Sequence, residues 1–331
     1  YEGPKMPNLN HAVSVGVRGI SNSIMNRPYS ISFEITRSCN AKCKHCHLRG
    51  TIPDEMRATA ADYAKRCREL KPVVAMVSGG EPLLRKDLEE IIKALKEEGK
   101  AVYITMTTNG ALFNKQRYNS LREAGVDLFS LSLDYPDERH DDFRGIPGLF
   151  NKIVRLLEEI QHLEDKAITF SCVVQRENFR DLSQMAEFAR KWGVKLNLST
   201  YTWLRTKKKE YLIPEDELEE LENIIETLRE HKKKYNTVIA SEYTFKKMME
   251  YFKNLTVGNC RAGEKFLIVN PDATLSPCGL HIGNYTSQKE IITDFLKNNT
   301  CGNCMTSIRA NTEKPFKYQI IDTLRAARRA H

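Results

Sequence analysis

The sequence predicts an α/β fold: a partial (β/α)6 TIM-like barrel with a small C-terminal cluster-binding domain. Three observations carry this. Six β-rich runs alternate with helical patterns between residues 30 and about 204. The alternation stops near residue 256, where turn residues take over. Seven of the nine cysteines fall into two groups, one just after the first β-rich run and one in the last quarter of the chain.

The first 28 residues form an N-terminal extension. Leu9, Val13, Val17, Ile20 and Ile24 recur at helical spacing with sparse charge (Lys5, Arg18, Arg27). Such a stripe packs on a neighbour or lies on a membrane surface. Residues 29–235 form the barrel. Its strands are expected at 30–36, 73–78, 101–107, 127–133, 167–174 and 195–201. Alternation of strand and helix implies parallel strands joined by crossover helices. Apolar residues recur at helix spacing in 86–98 (Leu88, Ile91, Ile92, Leu95) and in 150–163 (Phe150, Ile153, Leu156, Leu157, Ile160). Pro214 opens an amphipathic helix carrying Leu218, Leu221, Ile225 and Leu228. A second helix is expected over 241–254. Residues 236–331 make the C-terminal unit, with one short apolar run (266–269), four cysteines and a closing helix over about 316–330.

Composition is that of a water-soluble chain, 41% hydrophobic and 28% charged. No apolar run approaches the ~20 residues that cross a bilayer. The N-terminal stretch lacks the apolar core of a secretory signal. A cytoplasmic location follows as the expectation, with peripheral membrane contact through the N-terminal helix as a second reading. The net charge of +8 favours acidic partners, but no basic stripe interleaved with aromatics points to nucleic acid. An odd cysteine count without a secretion signal argues against a disulfide framework and for metal. Cys67 and Cys172 stand apart and read as packed core cysteines.

Cys39, Cys43 and Cys46 follow the first strand, on the face where barrels of this kind do chemistry. Three thiolates over eight residues can wrap an iron–sulfur cluster or, with His45 or His47, a zinc ion. Cys260, Cys278, Cys301 and Cys304 offer four thiolates, again suited to iron–sulfur or zinc. Short polar motifs recur after the next strands: Ser78-Gly79-Gly80-Glu81-Pro82, Thr108-Asn109-Gly110, Ser132-Leu133-Asp134, and Val173-Val174 with Asn178.

Together these motifs resemble the radical S-adenosylmethionine (SAM) superfamily. That resemblance implies a 4Fe–4S cluster on Cys39, Cys43 and Cys46, with SAM chelating the open iron and reduced flavodoxin or ferredoxin as electron donor. Ser78, Gly79, Gly80, Glu81 and Pro82 would hold the SAM amino group. Ser132 and, more weakly, Asp134 would meet its ribose or carboxylate, and Asn109 is a further SAM-binding candidate. Val174 and Asn178 would cradle adenine, and Arg144 would pair with a carboxylate. The second cysteine group resembles the auxiliary-cluster module called twitch, implying a second 4Fe–4S cluster with four protein ligands. Ala273 departs from that module, where a glycine commonly follows the Asp. A fully ligated cluster passes or accepts an electron, so the resemblance implies an oxidoreductase-type reaction. Three substrate classes stay open: a small polar molecule, a peptide or a lipid. Tyr201, just past the sixth strand, is the candidate proton donor or acceptor. The competing function is a non-catalytic iron–sulfur electron-transfer protein.

Overall fold

The computed structural model describes residues 9–315 and 318; the closing helix expected near 316–330 falls outside them. One mixed sheet of eight strands organises the chain. The strands are β1 (Ser30–Glu34), β2 (Val74–Ser78), β3 (Ile104–Thr108), β4 (Leu128–Ser132), β5 (Ile168–Val174), β6 (Lys195–Thr200), β7 (Phe266–Val269) and β8 (Leu275–Ser276). Their order across the sheet is β6-β5-β4-β3-β2-β1-β7-β8. β1 to β7 pair in parallel, and only β8 runs antiparallel, against β7. The six expected strands are all present, most of them shorter than the apolar runs suggested.

Helix α1 (Leu9–Ile24) precedes the sheet; the crossovers carry α2 (Ala60–Leu70), α3 (Leu88–Glu97), α4 (Lys115–Ala124), α5 (Arg139–Arg144), α6 (Leu149–Glu159) and α7 (Leu182–Lys191). α2 opens on a capping box, Thr59 and Asp62 bonding each other's backbone amides. The outward faces of the strands are apolar and bury against these helices: Ile31 and Phe33 on β1, Phe129 and Leu131 on β4, Leu196 and Leu198 on β6. Side chains on a strand alternate between faces. The inward faces are therefore the intervening residues, and in this chain those are mostly serine and threonine. The interior is accordingly a cavity of about 580 Å³, not a plug of branched apolar side chains.

The C-terminal segment does not hang from a linker. β7 extends the barrel sheet past β1, Ser30 pairing with Phe266 and Phe33 with Val269. On the far side, Thr200 at the end of β6 donates its amide and hydroxyl to Met305 O, and Ser307 N donates to Ser199 Oγ. The segment thus bridges both free edges of the open barrel. Two further helices, α8 (Leu218–Tyr235) and α9 (Glu242–Asn254), lead into it.

α1 is tied down by Asn22, whose side-chain amide donates to Pro28 O and Lys71 O at 2.8 Å each. Its apolar stripe faces outward: Val17 is 62% and Ile24 77% exposed. Among the described residues no helix is long and apolar enough to cross a membrane.

Candidate active site

The first cysteine group sits on the loop that leaves β1. Cys39 and Gly50 exchange backbone hydrogen bonds at 2.9 and 2.8 Å, closing that loop. Lys42 N and Lys44 N donate to Arg144 O and Phe143 O, stitching it to α5. Donors are aimed at the sulfurs. Ala41 N is 3.5 Å from Cys39 Sγ, Asn109 Nδ2 3.9 Å from the same atom, and Arg144 Nη1 3.7 Å from Cys43 Sγ. Donors of this kind suit thiolates that carry negative charge toward a metal centre. Burial pushes the Cys39 thiol up to about 11, and raises Cys43 against the pull of Arg144.

The Gly79-Gly80 strap after β2 lies directly on this loop. Gly80 N donates to Thr36 O at 2.7 Å and Glu81 N to Ser38 O at 2.9 Å. A Cβ on Gly79 would stand 2.1 Å from Thr36 O, and one on Gly80 2.1 Å from Ser38 O. The glycines are thus required by the approach of two backbones. Both also line the cavity.

Several site residues expected from sequence are cavity-facing: Ser78, Gly79, Gly80, Asn109, Ser132, Arg144, Tyr201 and all seven grouped cysteines. Others lie behind the wall. Glu81, expected to touch SAM, is fully buried and accepts from Thr108 Oγ1, Asn109 N and Leu83 N. It fixes the end of β3, while Pro82 packs beside it, buried. Asp134 is likewise fully buried. It accepts from Arg144 Nε at 2.7 Å and from Val173 N at 2.9 Å, and so orients Arg144 toward Cys43. Asn178 spends its side chain on Asp134 O, Val173 O and Gln175 N. Val174 is buried in the core, and its neighbour Val173 lines the cavity instead. Tyr201, the expected proton group, donates its hydroxyl to Lys208 O at 2.8 Å and meets Thr206 Oγ1, leaving the ring as wall.

The second group, Cys260, Cys278, Cys301 and Cys304, lines the same cavity as the first. Cys260 N donates to Cys301 O at 2.7 Å, and Arg309, 2% exposed, donates to Cys304 O at 2.8 Å and Gly258 O at 2.7 Å. Burial pushes Cys304 up to about 11 and raises Cys278. Arg309 had no signal in the sequence, because a lone arginine near a chain end follows no spacing rule.

Among the described residues, no three His, Cys, Asp or Glu side chains converge tightly enough to hold a single metal ion. A tetrahedral zinc with Zn–S near 2.3 Å asks for thiolates only ~3.8 Å apart. A four-iron cube spreads its thiolates further. His45, the candidate zinc partner, instead stacks on Phe143 with ring centroids 5.1 Å apart. The donors are soft thiolates, a set that suits an iron–sulfur cluster or zinc.

Comparison with known proteins agrees with this geometry. Residues 33–189 match the family model described as the Radical SAM superfamily. An AdoMet-dependent heme synthase of Oleidesulfovibrio alaskensis is 34% identical over 167 residues, 47% of this chain and 42% of that protein. A probable GTP 3′,8-cyclase of Methanococcus aeolicus is 31% identical over 198 residues, 58% of this chain and 65% of that one. This chain thus spans less than half the length of the first of these curated relatives. Among solved structures, Streptococcus suis SuiB bound to the precursor peptide SuiA shares the fold. Its TM-score is 0.63 at 15% identity, over 88% of this chain and 72% of that chain.

Proposed function

From the match of residues 33–189 to the family model described as the Radical SAM superfamily, we propose that this chain is a SAM-cleaving enzyme that oxidises a substrate in the cavity lined by its two cysteine groups. The carrying observation is that both groups line one cavity of about 580 Å³. When bound, a 4Fe–4S cluster on Cys39, Cys43 and Cys46 would supply the electron that cleaves SAM to a 5′-deoxyadenosyl radical, which takes a hydrogen atom from substrate.

The protein's own residues do the rest. The Gly79-Gly80 strap presents backbone to the cavity beside the cysteine loop, suited to a SAM amino group. Ser132 and Asn109 offer polar atoms on the adjoining strand ends. Arg144, held by Asp134, keeps positive charge against Cys43. Cys260, Cys278, Cys301 and Cys304 are assigned as the residues that would hold a second, auxiliary 4Fe–4S cluster, which would supply a one-electron acceptor. An electron carrier would have no use for a polar chamber between its clusters, and this favours the enzyme. The physiological reductant is assigned to the flavodoxin or ferredoxin class.

Iron and acid-labile sulfide per chain after anaerobic reconstitution test the reading, together with 5′-deoxyadenosine formation under dithionite. About eight irons, falling to about four in the Cys39/Cys43/Cys46→Ala variant with 5′-deoxyadenosine abolished, is the expected result. Unchanged iron in that variant, or no 5′-deoxyadenosine from the native chain, overturns it.

A further inference from the structure

Each strand from β1 to β6 sends a hydroxyl or amide into the cavity, among them Ser32, Ser78, Thr107, Ser130, Ser171 and Asn197. Two of these pairs satisfy each other: Ser32 with Ser78 at 2.6 Å, and Ser130 with Ser171 at 2.7 Å. The walls therefore suit a hydrated, polar occupant. Against them stand two charges the site described so far does not use.

Glu34 ends β1 and is the one carboxylate among the described residues lining the cavity. Arg205 lies on the loop beyond β6 and lines the same space. Both reach toward Gly279, next to Cys278. A Cβ there would be 3.1 Å from Arg205 Nη2 and 3.6 Å from Glu34 Oε1. Arg205 is near enough to act electrostatically on His45 of the first cysteine loop and on Cys278 of the second group. Arg144, the other cavity arginine, is already paired with Asp134. Among the described residues, neither the Glu34 carboxylate nor the Arg205 guanidinium makes a hydrogen bond or a salt bridge within 4 Å, although Arg205 and Arg37 both act electrostatically on Glu34 from further off. Charges in such a place without a hydrogen-bonded partner cost free energy unless water or a ligand meets them.

We propose that Glu34 and Arg205 are the substrate-recognition pair, and that the substrate is a small zwitterion of the free amino-acid type. Its carboxylate pairs with Arg205 and its ammonium with Glu34, which sets the remainder of the molecule between the two cysteine groups. A bidentate guanidinium–carboxylate contact supplies orientation as well as affinity. A hydrocarbon chain would displace water from both charges and offer neither a partner. This rests on the SAM-dependent reading for its chemistry, but not for its binding.

The test is equilibrium dialysis on the anaerobically reconstituted protein, with the twenty free amino acids and their N-acetyl and methyl-ester derivatives as probes. At least one free amino acid is expected to bind, and each derivatisation to weaken it tenfold or more. In Arg205→Gln, esterification should no longer matter; in Glu34→Gln, acetylation should no longer matter. Arg205→Lys should recover part of the carboxylate preference, which separates lost recognition from misfolding. Binding indifferent to both derivatisations, no binding of any free amino acid, or variants that weaken SAM in place of the amino acid would overturn the proposal. Iron content measured on the same samples reports separately on the cofactor reading: normal iron with no amino-acid binding sinks the pair alone.

Discussion

Arg144 stands between a carboxylate and a thiol: its Nη1 lies 3.7 Å from Cys43 Sγ while its Nη2 meets Asp134 Oδ2 at 2.6 Å. All three groups are buried. The charge on the guanidinium is therefore shared between a fixed partner and whatever negative charge the cysteine carries.

Removing the fixed partner should expose how much this costs. Asp134→Asn leaves the Arg144 charge buried and uncompensated, so a loss of about 3–5 kcal/mol in urea unfolding is expected. Arg144→Lys keeps charge but cannot span both partners, and should reduce iron retention at the first cysteine group with a smaller stability loss. A cost below about 1 kcal/mol for Asp134→Asn would mean that the pair does not hold the loop.

The glycine strap makes a second prediction. Gly80→Ala drives a methyl into Ser38 O, and Gly79→Ala into Thr36 O from a φ of 135°. Each should lower stability by about 1–3 kcal/mol and reduce iron bound at Cys39, Cys43 and Cys46. Four irons should be retained at the second group, as read by iron analysis beside a urea melt.

Ala273 is a position where the chain can be improved. Its φ is 63°, the left-handed region that costs an L-residue about 1–2 kcal/mol. Glycine removes that strain and returns part of it as unfolded-state entropy. Ala273→Gly should therefore stabilise by about 0.5–1 kcal/mol, visible as a higher urea midpoint.

Titration of the thiols gives opposite pH trends for the empty and the loaded chain. Burial holds Cys39 and Cys304 near 11, above the ~8.5 of an unfolded cysteine. Their folded pKa is raised, so their contribution to stability of the empty chain is complete below about pH 8.5 and is lost as pH rises toward 11. Ligation needs thiolates, so loading releases protons and strengthens with pH, up to about tenfold per pH unit for each thiol that ionises. Thermal melts of empty and reconstituted protein between pH 7 and 10 should diverge; parallel curves would show that the cysteines are not the ligands.

Much of this architecture was legible in the chain. The six barrel strands and their parallel pairing follow from β-rich runs broken by helices, since apolar residues such as Ile31, Phe129 and Leu196 repeat where the helices pack. The cysteine groups were legible because ligand spacing is local. What escaped was non-local. Periodicity marks the stripe of α1, but not that it faces outward. Gly-Gly-Glu-Pro announces a turn, but not that Glu81 points into the protein to pin Asn109. Glu34 and Arg205 escaped because a single charge in a strand or loop carries no pattern. Only the fold brings them to Gly279.

The bridging of the barrel's free edges sets a timetable for biosynthesis. The wall beside β1 is completed by β7, roughly 230 residues later in the chain, which at about 5–20 residues per second is a delay on the order of 10–50 s on the ribosome. Until then the first cysteine loop faces an unfinished chamber, open to small molecules along one whole side. An iron–sulfur centre of the kind proposed for Cys39, Cys43 and Cys46 would have its widest access in that interval, before the last quarter of the chain shuts the door.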